Sequence, residues 1–486
     1  MNNDPTYDIS SHISLEQAVV GANQSRLDTF TESGNSGQIN TDEILTVREF
    51  PTQNLSKVDA LTFADDVEKR VTDYTHGIHT YPAKFVPQIP RWAFRYAELK
   101  KGDTVYDPFV GCGTAMVEAR LCGLNSYGAE ISPLGRMMTK VKTEPIFREN
   151  PTRIREITAE LLAQIHSDDR EEVLDEDKNK YFSPPINWEF WFPNKSLKDL
   201  TNIKRHILTI DKVVDVNFAA LQQLSRFYLI CLSSVIIPAS YQQETQIKVR
   251  KNEQKFDDGL PDTTGLFSAV TKENQEKLVE FNKACGHDEL FAEIVGTDAR
   301  KHNLPNNSTD LVVTSPPYIN AIDYTMAHRR SLLFLDFFDK ESFYEHRHEY
   351  IGVTERAVTK QYYNTLQLTG SDEIDEIIKI IYKKGERKDK IRAYILYQYF
   401  TGMREVFQQL SDVLKPEGYC VIVVGDNEIR NETIPTAEFL VEVTKDTDLA
   451  LQHSFKHFYK KIQLQAGRRS TAGKIDYETI LILQNS

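Results

Sequence analysis

The chain has 486 residues but only five cysteines, none in a CxxC pair or at a metal-ligand spacing. Neither a structural disulfide framework nor a zinc or other metal site is expected. There is also no run of about 18 apolar residues and no charged-then-apolar leader pattern at the N-terminus. No membrane span is expected, and the cytoplasm is the expected location. Positive charge is not in excess either: 58 Lys and Arg stand against 71 Asp and Glu, a formal net charge of −13. That total disfavours a generally basic, nucleic-acid-coating protein, although binding follows local fields rather than the sum. Hydrophobic content of 40% and charged content of 27% are those of an ordinary globular protein. The length calls for two or three domains, or for one large domain with an insertion.

Two phosphate-binding signatures are missing as well. Asp107-Pro108-Phe109-Val110-Gly111-Cys112-Gly113-Thr114 lies between a predicted strand at 104–106 and a predicted helix at 115–122. A dinucleotide loop would carry a third glycine where Met116 stands, and a P-loop would end in Lys-Ser or Lys-Thr, which is absent. What is left is a loop whose glycines let backbone approach a ligand at a helix N-terminus. The next strand, 126–129, ends at Glu130, and a strand starting at Ile294 ends at Asp298. Glu130 is placed either to accept from ribose hydroxyls or to cap the turn after it. Asp298 is placed to accept from an exocyclic adenine amine. Three strand-end acids around a glycine loop suit a nucleoside with no phosphate to cradle. The strand–helix–strand order implies a parallel sheet.

At 310–324 the sequence DLVVTSPPYINAIDY carries an apolar strand straight into Ser315-Pro316-Pro317-Tyr318. Two prolines cannot continue a helix or donate to a ladder, so the chain leaves the sheet in a stiff, extended turn. A second Ser-Pro-Pro at Ser183-Pro184-Pro185 follows an acidic segment, has no preceding apolar strand, and carries Ile186 in place of a ring. It reads as a structural turn.

Together, Asp107 to Thr114 and Thr314 to Tyr318 resemble the DNA amino-methyltransferases that use S-adenosylmethionine. The Ser-Pro-Pro-Tyr form most resembles their cytosine-N4 branch; Asp or Asn in first position is commoner in the adenine-N6 branch. His79-Thr80-Tyr81-Pro82-Ala83-Lys84-Phe85, Asn320 to Tyr324 and Gly425-Asp426 extend the similarity, which covers roughly 71–135 and 291–430. The resemblance implies a seven-stranded, mostly parallel α/β Rossmann-like sheet. Composition and pattern add an extension at 1–70 that is partly flexible and a mainly helical insertion at 146–290, between a cofactor-binding half at 71–145 and a catalytic half at 291–486; the insertion's place between the second and third strands departs from the family order expected for a recognition domain. S-adenosylmethionine would be held by Thr80, Tyr81, Pro82, Lys84 and Phe85; by Asp107, Pro108, Phe109, Gly111, Gly113 and Thr114; and by Glu130, Ile131, Asp298 and Ala299. Ser315, Pro316, Pro317 and Tyr318 would hold the target base, flipped out of double-stranded DNA. The implied role is the modification half of a restriction–modification system, with any cognate endonuclease a separate chain.

Cytosine carbon-5 methylation is excluded, because it needs a thiolate, typically after a proline, and no cysteine here follows one. The alternatives are an adenine-N6 DNA methyltransferase, an RNA methyltransferase of the same superfamily, or a catalytically silent DNA-binding module. Candidate DNA contacts are Lys248, Arg250 and Lys251, then Arg329 and Arg330, then Arg468 and Arg469. The last two lie in 456–474, which holds six Lys or Arg and no acid. The stretch 379–392, with seven basic residues against two acidic, reads equally as a solvated face. Sequence readout is expected from 146–290, from 325–410, or from both.

Overall fold

Two segments some two hundred residues apart meet at the centre of the sheet. In the computed structural model, described for residues 45–47, 60–63, 72–147, 150–168, 187–243, 250–285, 289–301, 303–319, 323–352, 355, 358–458 and 477–486, these segments are β3 (Thr104–Asp107) and β6 (Thr309–Thr314). They pair in parallel, Val105 opposite Leu311 and Tyr106 opposite Val312. On one side of β3 lie β4 (Asn125–Ala129) and β5 (Ala292–Gly296), both parallel. Beyond β6 come β7 (Leu414–Val424), β11 (Tyr477–Asn485) and β10 (Leu449–Phe458). Only β11 runs antiparallel to its neighbours, so the expected seven-stranded, mostly parallel α/β sheet is present. Two short strands, β1 (Leu45–Val47) and β2 (Ala60–Phe63), add in parallel to the β10 edge and bring the sheet to nine. A separate small hairpin, β8 (Asn427–Ile429) with β9 (Glu432–Ile434), follows β7.

Both faces of the central strands are apolar, as burial on two sides demands. Leu311 and Val313 of β6 and Val421 and Val423 of β7 turn to one face, where they meet α1 (Gln88–Tyr96) and α2 (Thr114–Leu121). Val312 and Ile422, one position out of step, turn to the other. There they meet α9 (Asp372–Lys383), α10 (Arg387–Val413) and α11 (Thr436–Val443). A third apolar cluster joins α3 (Pro133–Thr143) to α4 (Pro151–Ser167), α5 (Asn194–Leu208), α6 (Phe218–Ile236), α7 (Thr263–Ala284) and α8 (Arg329–Phe334). By length and composition α6 is apolar enough to cross a membrane, but half of that stretch is buried inside the protein. All five cysteines are buried and free.

Beneath the glycine loop, α2 carries a fully buried carboxylate. Glu118 accepts from Arg91 Nε at 2.8 Å and bonds His76 Nε2 at 2.7 Å, joining α2 to α1 and to the segment before it. Burial pushes the Glu118 carboxyl up, but His76 and Arg91 outweigh that and hold it below its ordinary value. Glu118→Ala leaves both partners buried without their anion, so urea denaturation at pH 7 should show a loss of about 3–5 kcal/mol. Because the folded-state carboxyl is depressed, its contribution is present above the ordinary carboxylate range and lost as the pH falls below it. The gap between wild type and variant should therefore narrow below pH ~4; a gap independent of pH would show that the charge of Glu118 is immaterial.

Candidate functional site

The ends of β3 and β6 are locked together. Asp107 Oδ1 accepts from Thr314 Oγ1 at 2.6 Å and from the Phe109 N–H at 3.0 Å, so one buried oxygen binds the last residue of β6 to the first turn of the glycine loop. That loop needs its glycines. Gly111 and Gly113 have φ of +54° and +89°, and a Cβ on Gly111 would lie 3.3 Å from the Tyr81 ring. Glu130, just past β4, braces the same loop: its carboxylate accepts from the Gly111 and Ser132 N–H groups, each at 2.8 Å. Of the two roles open to Glu130 in the sequence, turn capping is thus one it performs, and the carboxylate also faces the cleft beside it.

That cleft has an unfilled space of about 620 Å³ at the C-terminal ends of the strands, where the sheet order reverses between β3 and β6. Tyr81, Lys84 and Phe85 wall it on one side, and Asp107, Phe109, Gly111, Thr114, Glu130 and Ile131 form its floor. Ser315 and Pro317 open into it from β6. A second hollow of about 350 Å³ shares Phe109, Glu130, Ile131 and Pro317 with it and adds Pro108, Asp298 and Ala299. Asp298 lies two residues beyond the end of β5 and is gripped by Arg300 Nε and a terminal guanidinium nitrogen at 2.8 and 2.9 Å. Burial pushes its carboxyl up, but Arg300 holds it below the ordinary range, so it meets the hollow as a matched anion.

The remaining expected residues stand apart from this lining. Thr80 is exposed, Pro82 half-buried, and Gly113 is tucked against Thr139 as the N-cap of α2. Pro316 is buried. Tyr318 is half-buried, and its hydroxyl donates to Glu478 of β11. Lys84 donates to the His76 carbonyl at 2.9 Å, and burial pulls its ammonium pKa down to about 8.

No family model matches the chain. It is 25% identical to the Type II methyltransferase M.MvaI of Kocuria varians, over 85% of this chain and 91% of that one. It is likewise 25% identical to the Type II methyltransferase M.BsoBI of Geobacillus stearothermophilus, over 76% and 78%. A shorter match, 40% over 77 residues, is to the Type II methyltransferase M.MjaII of Methanocaldococcus jannaschii, covering 16% of this chain and 14% of that one. Over most of its length the chain is similar to Type II methyltransferases.

Tyr350, from a segment with no motif, lines both hollows and carries no signal in the sequence, whereas Tyr324, which closes the Asn320–Tyr324 stretch, lines the first and stacks on Tyr81 with ring centroids 5.8 Å apart. Of the expected DNA-facing cations, Arg250 is exposed and Lys251 lies 4.1 Å over the Phe190 ring. Arg330 is 5% exposed and packed against Trp191. In the basic stretch 379–392, Lys384 pairs with Glu432 at 2.6 Å and Arg392 with Glu355 at 2.7 Å, so much of its charge is matched within the fold. Lys248, Arg468, Arg469, residues 320–322 and the second Ser-Pro-Pro lie outside the described residues.

Burial pushes both the Asp107 and Glu130 carboxyls up to about 7, against the hydrogen bonds from Thr314 and Phe109 in one case and from Ser132 and Gly111 in the other. A carboxyl whose folded pKa is raised binds extra protons in the folded state, so folding is favoured at low pH and that advantage is lost as pH rises through about 7. Asp107→Asn retains an oxygen for Thr314 and Phe109 but never ionises. Its stability relative to wild type should rise between pH 5 and pH 8 by roughly 2–4 kcal/mol, read by urea denaturation. A constant difference would show that Asp107 is ionised throughout.

Proposed function

We propose that the protein is a site-specific DNA methyltransferase. It moves a methyl group from S-adenosylmethionine to the exocyclic N4 amine of a cytosine flipped out of double-stranded DNA. In this reading it is the modification half of a restriction–modification system whose endonuclease is a separate chain. The observation that carries the reading is that Ser315 and Pro317 open on the same cleft as Asp107, Gly111 and Glu130. The similarity to Type II methyltransferases over most of both chains supports the transferase class.

The residues present fit the cofactor. Two hollows that share Phe109, Glu130, Ile131 and Pro317 lie side by side along the strand ends, and glycine at 111 keeps backbone open against Tyr81. Glu130 and Asp298 suit ribose hydroxyls and an adenine amine, while Asp107, Lys84 and Phe85 wall the other end. When bound, S-adenosylmethionine supplies a methyl group on a sulfonium, already bearing a good leaving group.

The protein's task is to make a poor nucleophile competent. The cytosine amine lone pair is delocalised into the ring. Ser315 Oγ and the Pro316 carbonyl accept hydrogen bonds from the two amine N–H groups and so localise the lone pair toward the methyl donor. Two prolines and the Thr314–Asp107 bond keep these acceptors from swinging away. Positioning of this kind supplies roughly 7–11 kcal/mol of barrier lowering. The Tyr318 ring, steadied by Glu478, offers a face on which the extruded base stacks.

Mass spectrometry of nucleosides from plasmid DNA incubated with protein and S-adenosylmethionine should show N4-methylcytosine. N6-methyladenine would retain the cofactor and fold and remove Ser315 as the determinant of the base. Ser315→Ala should bind cofactor as wild type does and transfer methyl groups orders of magnitude more slowly. Unchanged turnover would remove the role given to that hydroxyl. Tyr318→Phe should stay close to wild type, whereas Tyr318→Ala should lose about 1–3 kcal/mol of affinity for DNA with an abasic partner opposite the target. Equal behaviour of the two variants would argue against stacking.

A further inference from the structure

Most arginines in this fold that are withdrawn from water have a carboxylate. Arg347 pairs with Asp323 at 2.5 Å, Arg300 with Asp298 at 2.8 Å and Arg226 with Glu144 at 2.6 Å. Arg330 does not. It is 5% exposed, its guanidinium lies 4.0 Å over the Trp191 ring, and its buried Nε has no hydrogen-bond partner. Its neighbour Arg329, half-buried and 5.7 Å over the Phe343 ring, likewise has a buried Nε with no partner. Among the described residues neither has a carboxylate within ion-pair distance. A guanidinium does not shed its proton, so Arg330 is held largely out of water beside the half-buried Arg329, with no anion for either among the described residues. Burial and the charge of Arg329 both press against the charge on Arg330. Ring faces recover part of this cost, and an anion placed against the guanidinium would recover more.

The position says what that is. Tyr324 lines the cleft, and the chain passes from it through His328, whose ring is 5.2 Å from Tyr81, directly into Arg329 and Arg330 at the start of α8. On the far side, Trp191 leads to the exposed Phe190 and to Lys251 above it. Cation and ring thus alternate from the rim of the cleft onto the insertion, in the pattern by which proteins follow a nucleic-acid backbone.

We propose that Arg330, seated on Trp191 and helped by Arg329, is a phosphate clamp for the DNA strand that carries the target base. It rests on the reading of the protein as a DNA methyltransferase and adds the point at which the strand is gripped. The anion that it takes is a phosphodiester. A clamp of this kind fixes the register of the strand and carries no sequence preference.

The test measures binding of a fluorescein-labelled, mixed-sequence DNA duplex across a range of salt, together with thermal stability of the protein alone. Arg330→Leu keeps apolar contact with Trp191 and removes the charge. Affinity should fall several-fold whatever the sequence, and the slope of log affinity against log salt should shrink by about one. Without DNA the same variant should melt no lower than wild type, since it removes an unmatched buried charge. Arg329→Gln, at the less buried position, should also weaken binding and reduce the slope, without touching the Trp191 contact. Wild-type binding with an unchanged slope in both variants overturns the clamp and leaves the methyltransferase reading standing. A marked fall in melting temperature for Arg330→Leu also overturns it, by showing that the counter-charge lies within the chain. Failure of wild type itself to bind or methylate duplex DNA would instead strike at the underlying reading.

Discussion

One short hydrogen bond organises this site. Asp107 and Thr314 are the last residues of two strands joined by more than two hundred residues of chain, and 2.6 Å separates their side-chain oxygens. Through it the glycine loop and the Ser-Pro-Pro-Tyr turn become parts of a single rigid rim. Neither alone could set the distance between a methyl donor and an acceptor amine. The loop is further braced by Glu130, and the turn by its own prolines, so few soft torsions remain between the two. The carboxyl groups that do this bracing are the ones burial drives toward neutrality, so the order of the rim and its state of charge are linked.

Around that rim the molecule divides its labour by packing. One face of the sheet rests on α9, α10 and α11, the other on α1 and α2, and both supply only shape and rigidity. The third cluster is different in kind. It runs from α3, beside the glycine loop, through the helices of the insertion to α8, so the insertion shares its core with elements that bear on the cleft. Lys204 of the insertion donates to the Phe334 carbonyl at the end of α8, both groups buried. What happens on the insertion is therefore mechanically continuous with the wall of the site.

The features legible in the sequence are those that a backbone cannot build with other residues. Gly111 and Gly113 announce themselves because their φ values are positive, and the prolines because they end a strand without donating. The period-two alternation of β6 and β7 and the β3–α2–β4 unit follow from the same kind of local rule, which is why the sheet could be anticipated. Tyr350 could not, since a tyrosine outside any motif reads the same whether it faces water or a cleft. The burial of Arg330 is hidden for a related reason: in the sequence it belongs to a polar His-Arg-Arg run, and Trp191, far away along the chain, packs against it. The strands β1 and β2 owe their state to the open edge of β10 rather than to any strong pattern of their own.

The pairing of β3 with β6 also has a consequence in time. A ribosome adds about 5–20 residues each second, so the partner of β3 emerges roughly 10–40 s after β3 itself. Throughout that interval the insertion has been made while one hydrogen-bonding side of the sheet's central strand still lacks its neighbour. Helices fold fast and locally, and long-range parallel pairing is slow. The order of synthesis therefore has the helices of the insertion made first, with α8 of their shared core still to come, as a surface on which the later strands assemble. The nascent protein spends that window with an apolar strand edge to shield.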